Sequence, residues 1–206
     1  MARQPPTING SRGNGRAERQ RARILDAAEK CFIDSGFHAA GMARVAETAG
    51  MSAGLIYRYF DGKASIVKAI IARHLETEAT RMIDQLSSPQ DMSAAMLELF
   101  DRWRRGDDPK LNAGLMLDLT AESTRDPKIA RVVRDKDRLV EERLVRAVER
   151  IAQMRKRKLT PAEARGRAIV FQCLTEGLAY RAVRDPTLQP RTLKPALEQV
   201  VAVLLG

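Results

Sequence analysis

The sequence predicts an all-α protein, and three observations support this prediction. Apolar residues recur with helical spacing along most of the chain, whereas the apolar/polar alternation typical of half-buried strands is absent. Short breaker segments such as SSPQD and RDPTLQPR interrupt the helical pattern. Asp and Pro stand where later helices should begin, as in DDPKLNA and RDPKIAR. We expect a small N-terminal module followed by a larger helical bundle.

The composition favours a soluble protein whose partner is a polyanion. The 36 Lys and Arg residues outnumber the 26 Asp and Glu residues, so the formal net charge is +10. Cys31 and Cys173 lie far apart within apolar helical patterns, so we expect no disulfide and no metal site. We also expect no cofactor. No apolar run approaches the ~18 residues of a membrane span, and the N-terminus lacks a signal-peptide pattern. We therefore expect a cytoplasmic location, no membrane partner, and double-stranded DNA as the first candidate partner.

Residues 1–15 contain several prolines and glycines and little that could be buried, so they are predicted to form a disordered arm. Residues 1–23 carry six arginines and one glutamate, a net charge of +5. Such a segment is either an arm that enters the DNA minor groove or a solvated basic tail, and the sequence leaves both interpretations open.

The first helix is predicted to begin near Arg16. Ile24, Ala28 and Phe32 then share one helical face, and Gly36 is well placed to end the helix. The next two helices are short and closely spaced. Residues 42–49 form the first of them, and Gly50 supplies the left-handed residue that ends it.

The helix after this turn has small residues where it begins. Ser52 is a suitable N-cap, and Ile56 and Phe60 face the core four residues apart. Ala53 and Gly54 occupy the first turn, where bulky side chains would hold the backbone away from base edges. The pattern therefore predicts a helix-turn-helix whose second helix enters the major groove of DNA.

The segment ILDAAEKCFIDSGFHAAGMARVAETAGMSAGLIYRYFDGKASIV resembles the DNA-binding domain of the TetR family of bacterial transcriptional repressors, over about residues 18–70. The later segment LTEGLAYRAVRDPTLQP is similar to the dimer-helix segment of choline-responsive repressors. The resemblance implies a ligand-responsive repressor that binds an inverted-repeat operator as a homodimer and is released by a small molecule. The residues that mark the resemblance to the TetR-family DNA-binding domain are Ala27, Ala28, Phe32, Gly36, Val45, Ala46, Ala49, Gly50, Met51, Ser52, Gly54, Ile56, Tyr57, Tyr59, Phe60 and Lys63.

The resemblance also implies roles for individual residues. Tyr57, Tyr59 and Lys63 should contact phosphates, although the two tyrosines could instead be packing aromatics at a domain joint. The family commonly has Thr at the position of Gly41, and Arg44, one turn into the helix, could compensate for the lost contact. The predicted DNA-binding residues are Arg44, Ser52, Ala53, Gly54, Leu55, Tyr57, Arg58, Tyr59 and Lys63.

The rest of the chain is predicted to be helical. One helix should run from Lys63 to about Leu86, followed by helices at about 91–105, 109–125, 127–154, 161–184 and 191–205. The predicted domains are the arm at 1–15, a DNA-binding domain at 16–62, and a ligand-binding and dimerisation domain at 63–206. The helix from Lys63 links the last two.

Methionines and aromatic residues on several helix faces of the larger domain suggest a pocket for an apolar effector. Met adapts to varied apolar ligands, and Glu122 extends an apolar face where it could meet a cation. For each residue, ordinary core packing is the competing interpretation. The candidate pocket residues are Met92, Met96, Phe100, Trp103, Leu115, Met116, Leu119, Glu122 and Phe171.

The predicted helix at 161–184 is apolar on all sides between Ala168 and Val183, and such a helix must be buried all round. Gly177 in its middle costs about 1 kcal/mol relative to Ala, which close helix approach would explain. A second copy of the chain would supply the extra buried face as a four-helix interface. The predicted interface residues are Phe171, Leu174, Gly177, Leu178, Leu197 and Val201.

Two other classes of function compete with this interpretation. The two histidines, His38 and His74, stand without a paired carboxylate or nucleophile motif, so an enzyme is not expected. A helical small-molecule-binding or partner-binding protein without a DNA-regulatory role is the second alternative. The basic module around Tyr57, Arg58 and Lys63 argues against it.

Overall fold

The computed structural model describes residues 10–75, 78–106 and 112–206. Within these ranges the regular structure is entirely helical, which confirms the predicted all-α class. The helices are α1 (Gly10–Ser35), α2 (Met42–Thr48), α3 (Ala53–Tyr57), α4 (Lys63–Leu75), α5 (Glu78–Gln85), α6 (Pro89–Arg105), α7 (Ala113–Ser123), α8 (Pro127–Met154), α9 (Pro161–Arg184) and α10 (Pro190–Leu205).

The helices depart from the predicted bounds by more than two residues in two places, and residues 109–111 of the helix predicted at about 109–125 lie outside the described residues. The first is α1, which begins at Gly10, six residues before the predicted start, so the last part of the expected disordered arm is helical. Residues 1–9 lie outside the described residues. A helix that is already nucleated adds one hydrogen bond for each residue it gains, and this offsets the poor propensity of the glycines. The second is the helix predicted from Lys63 to about Leu86, which is described as α4 and α5, with residues 76–77 outside the described ranges.

The chain divides into two compact units, of which the first ends at Ile66 and the second begins at Val67. In the first unit, Ile24, Phe32, Val45 and Ile56 are buried and bring α1, α2 and α3 together. The Sγ atom of Cys31 in α1 also lies 3.1 Å from the Oγ1 atom of Thr48 in α2, within hydrogen-bond distance. These contacts hold the short α2 and α3 against one long helix.

The second unit has two clusters of buried side chains. The first core cluster joins α6, α8, α9 and α10 and includes Met96, Val148, Phe171 and Val201. The second core cluster lies between α6, α7 and α9, and its members are Phe100, Trp103, Ala113, Ala179 and Ala182. Both α6 and α9 therefore contribute to both clusters.

The ends of α8 and α9 have specific caps. Thr160 and Glu163 form a capping box at the start of α9, and the Thr160 backbone N–H, which donates to the carboxylate, holds the pKa of Glu163 below its ordinary value. At the end of α8, Lys156 has a φ of 57° and is the left-handed residue of a Schellman motif. Its bonds run from the Arg157 N–H to the Ala152 carbonyl at 2.8 Å and from the Lys156 N–H to the Gln153 carbonyl at 2.9 Å. Across the described ranges, no helix has both the length and the apolar character needed to cross a membrane.

Candidate nucleic-acid interface

The turn between α2 and α3 has the geometry that the sequence predicts. Gly50 has a φ of +60°, and the Met51 N–H donates to the Ala46 carbonyl at 2.9 Å, so α2 ends in a Schellman motif. A Cβ atom at Gly50 would also lie 2.6 Å from Nη2 of Arg23. The backbone conformation therefore favours glycine at this turn, and a larger residue would also have to displace the end of the Arg23 side chain.

Helix α3 has only five residues, and its beginning is open to solvent. The Ser52 hydroxyl accepts a hydrogen bond from the Leu55 N–H at 3.3 Å, which confirms Ser52 as the N-cap. Ala53 and Gly54 are exposed, and among the described residues no atom beyond the same helical turn lies within 4 Å of a Cβ placed on Gly54. The first turn of α3 can therefore approach another molecule closely.

The other predicted contact residues surround this opening. Arg44 and Arg58 are exposed, Tyr57 is 53% exposed, and Leu55 and Tyr59 are half-buried. Gly41 occupies the N-cap position of α2 and provides no side-chain cap there. The first unit thus has a surface of small, aromatic and cationic residues that can meet a negatively charged partner.

Lys63 is held by backbone carbonyls at the start of α4. Its Nζ atom donates to the Phe37 carbonyl at 2.5 Å and to the His38 carbonyl at 3.2 Å. The same ammonium lies 4.3 Å from the centroid of the Phe37 ring, a cation–π distance. Lys63 therefore fixes the loop between α1 and α2, an internal role that the sequence analysis did not predict. The expected phosphate contact stays a prediction.

The fold and this surface agree with the family whose models match the chain. The model of bacterial regulatory proteins of the tetR family matches residues 24–70, and the model of the BetI-type transcriptional repressor C-terminal domain matches residues 89–206. The chain belongs to the TetR family. The models that match describe domains of transcriptional regulators.

Relatives in the TetR family support this assignment. The chain is 34% identical over 102 residues to the transcriptional activator FasR of Mycolicibacterium smegmatis, covering 47% of this chain and 46% of that protein. It is 25% identical over 198 residues to the regulator SrpR of Pseudomonas putida, covering 91% and 86%. The chain thus spans about half the length of FasR and most of SrpR. The structure of Salmonella enterica GusR has the same fold, with a TM-score of 0.71, 20% identity, and coverage of 90% and 95%.

Arg21 is a residue of this TetR-type unit that the sequence analysis assigned only to the basic N-terminal segment. Its Nη1 atom donates to the Tyr59 carbonyl at 3.0 Å, and its guanidinium lies 4.4 Å from the centroid of the Phe60 ring. Arg21 precedes Ile24 by three residues and so shares the face that α1 buries. A cation on the face that α1 buries was the sequence signal for an internal role of Arg21. Arg21 therefore ties α1 to the segment that follows α3.

The structure packs most of the predicted pocket residues as core. Met92, Met96 and Phe171 belong to the first core cluster, and Phe100 and Trp103 belong to the second. Leu115 and Leu119 are buried, and Met116 and Glu122 are half-buried. Two open clefts of about 470 and 350 Å³ lie between α1 and α2 and between α8 and α9, and neither is lined by a predicted pocket residue. The pattern that suggested a pocket, Met and aromatic residues at helical spacing, is the same pattern that a packed core requires.

The chain itself covers much of the surface of the predicted dimer residues. Phe171, Leu197 and Val201 are buried within the chain's own core, and Leu174 and Leu178 pack against it, so these residues do not form an open surface. Gly177 alone among the six lies exposed. The sequence showed that α9 is apolar on all sides, but it could not show which side the chain itself covers.

Proposed function

We propose that this TetR-family chain represses transcription in the cytoplasm as a homodimer that binds an inverted-repeat operator and is released by a small molecule. The observation that carries the proposal is the exposed first turn of α3, with Ala53 and Gly54 beside Tyr57 and Arg58. Small residues let the helix approach base edges, and the neighbouring cation and tyrosine can position it on phosphates. No catalytic activity is part of this proposal.

An exposed apolar face on the second unit supports the homodimer. On α9, Val170 is 41% exposed and Tyr180 is 47% exposed, and Cys173 and Gly177 lie between them at helical spacing. On α10, Val203 is 81% exposed. Exposed apolar side chains of this kind are typical of an interface, and two copies related by a two-fold axis would cover each other's faces.

The effector is proposed to bind beside Trp103 in the second core cluster. The Nε1 atom of Trp103 is buried, and within the part of the chain that the structure describes it has no hydrogen-bond acceptor. A buried donor without a partner costs about 1–3 kcal/mol, which an incoming acceptor would recover. Its surroundings, which include Phe100, Ala113 and Ala182, are apolar. These features favour a mainly apolar effector that carries one hydrogen-bond acceptor.

Selection of bound genomic fragments tests the DNA-binding part of the proposal. The purified chain should enrich fragments that share an inverted repeat, and footprinting should show two half-sites on one face of the duplex. The recovered operator would also identify the neighbouring genes. Enrichment of fragments without a common inverted repeat would contradict specific binding by a symmetric dimer.

The fluorescence of Trp103 tests the effector site, because this is the only tryptophan in the chain. Apolar compounds with and without a carbonyl or carboxylate should be titrated while the tryptophan emission and operator release are recorded. A compound that shifts the emission should also release the operator. The Trp103→Phe variant keeps an aromatic side chain, although a smaller one, and loses the N–H donor, so it should bind the operator normally and need at least about ten times more effector. An unchanged effector requirement would place the site elsewhere.

A further inference from the structure

The N-terminal part of α1, residues 10–23, extends beyond the core of the first unit and is called the α1 extension below. The first buried side chain of α1 is Ile24, and none of residues 15–23 is buried. Residues 15–23 are mostly polar or basic, and burial in a core does not explain their composition. Its charged residues are Arg12, Arg16, Glu18, Arg19, Arg21 and Arg23.

Two arginines connect the α1 extension to both sides of α3. Arg21 donates to the Tyr59 carbonyl at 3.0 Å, just after α3 ends. Arg23 lies against Gly50, just before α3 begins, since a Cβ on Gly50 would be 2.6 Å from its Nη2 atom. The base of the extension is therefore fixed next to the helix that faces the major groove.

Three arginines of the extension share one exposed face of the helix. Arg16, Arg19 and Arg23 follow one another at intervals of three and four residues, which places them on one face of the helix, and all three are exposed. At about 1.5 Å per residue, Arg16 lies roughly 10 Å along the axis from Arg23. Arg19 and Arg23 also line the open cleft of about 470 Å³ with Asp26, Lys30 and Thr48, which leaves room beside them for a phosphate group.

We propose that the α1 extension is a second DNA contact, in which Arg16 and Arg19 bind backbone phosphates of the duplex that flanks the half-site contacted by α3. This inference rests on the proposed docking of α3. The exposed Arg16, Arg19, Arg21 and Arg23 add four positive charges beside the groove-facing helix. These charges complement the phosphate charge of a duplex. Contacts to phosphates add affinity and dependence on salt but carry no base preference.

The helical conformation of residues 10–23 bears on the minor-groove interpretation of this segment. An α-helix with its side chains is about 10–12 Å wide, whereas the minor groove of B-DNA is only about 6 Å wide. Residues 10–23 therefore cannot enter the minor groove as an extended arm would while they remain in α1. A helix along the outer edge of the duplex can still bring its arginines to the phosphates.

The test measures the affinity of two proteins, the wild type and the Arg16→Gln/Arg19→Gln double variant, for two DNA duplexes. The short duplex ends at the outer base pairs of the operator's two half-sites, and the long duplex adds ten base pairs on each side. The wild-type dimer should bind the long duplex about tenfold more tightly or better. Its salt slope should be steeper there by about 3–4, since two arginines in each of two protomers would each contact one phosphate. The double variant should bind both duplexes alike.

The Arg131→Gln/Arg138→Gln variant is the control, because it removes the same charge from exposed positions on α8. It should keep the wild-type difference between the long and the short duplex. The inference is overturned if the wild type binds both duplexes equally, or if the double variant still prefers the long one. Wild-type binding to the short duplex tests the proposed function separately. A chain that binds neither duplex specifically contradicts the proposed function and the inference together.

Discussion

Helices α3 and α9 both leave much of their surface uncovered by the chain, but the exposed residues differ in kind. At α3 the exposed residues are small, aromatic or cationic, as with Gly54, Tyr57 and Arg58. At α9 they are largely apolar, as with Val170 and Val183. The first surface suits a hydrated, negatively charged partner, and the second suits a surface as apolar as itself. One chain thus presents two kinds of exposed surface, which can be distinguished by the chemistry of the exposed residues.

The glycines of the two helices sharpen this comparison. In the described part of the chain, no atom beyond the local helical turn lies within 4 Å of a Cβ built on Gly54 or on Gly177. Each of these glycines costs about 1 kcal/mol in helix propensity without relieving a contact inside the chain. Gly50 is different, since its φ of +60° is a backbone conformation that favours glycine. We therefore expect Gly54 and Gly177 to serve interfaces and Gly50 to serve the fold.

Replacement of Gly177 should have the largest effect. In Gly177→Leu, two new side chains, one from each protomer, would separate the paired helices. At about 1–3 kcal/mol for each overpacked side chain, dimer dissociation should become at least about 30-fold more favourable. Sedimentation velocity over a range of protein concentrations measures this change, and operator affinity should fall with it.

The Lys156→Ala variant is the matched control for assembly, because Lys156 is an exposed residue of the loop after α8. Its sedimentation profile should not change. A Gly177→Leu chain that sediments like the wild type at every concentration would remove this face from the dimer interface.

Replacement of Gly54 should affect DNA binding and leave assembly intact. A leucine at this position would hold α3 away from the base edges, so Gly54→Leu should lose about 1–3 kcal/mol of operator affinity per half-site. Unfolding should occur at the same temperature or slightly higher, because leucine is the better helix former. Ala121→Leu, at an exposed position on α7, is the control and should bind the operator normally. Normal operator binding by Gly54→Leu would show that α3 does not enter the groove.

Replacement of Lys63 separates an internal role from a DNA contact. The Lys63→Met variant leaves the Phe37 and His38 carbonyls without this donor, so the first unit should be less stable by about 1–3 kcal/mol in thermal or denaturant unfolding. Non-specific DNA binding at several salt concentrations gives the second measurement. A salt slope lower by about two per dimer would verify the phosphate contact that the family resemblance implies. An unchanged slope together with lower stability would assign Lys63 to the fold alone.

The smallest expected change is a gain in stability far from either interface. Lys156 has a φ of 57°, a conformation that costs a non-glycine residue about 1–2 kcal/mol. Lys156→Gly should therefore stabilise the second unit by about 1 kcal/mol and raise its melting temperature by about 2–4 °C. Calorimetry measures this shift, and Lys158→Gly in the same loop should give no gain. Equal effects of the two substitutions would contradict the αL assignment.

Local sequence determined the helices and the turn that carry the DNA-binding surface. Gly50, Ser52, and the pair Ile56 and Phe60 specify a turn, an N-cap and a buried face by rules that act within a few residues. The N-terminal ends of α8 and α9 likewise follow from Pro127 and Pro161 with their caps. These features could be predicted because the groups that interact are neighbours in the chain.

Only the tertiary structure decided how the side chains of distant segments pair. Phe171 and Gly177 lie on the same apolar helix, but the packing of α6, α8 and α10 buries the first and leaves the second exposed. Likewise, the sequence near Lys63 and Arg21 does not identify the carbonyls, 26 and 38 residues away, that their cations bind. Helical periodicity fixes which residues share a face, whereas the choice of face depends on long-range packing, which local patterns do not encode.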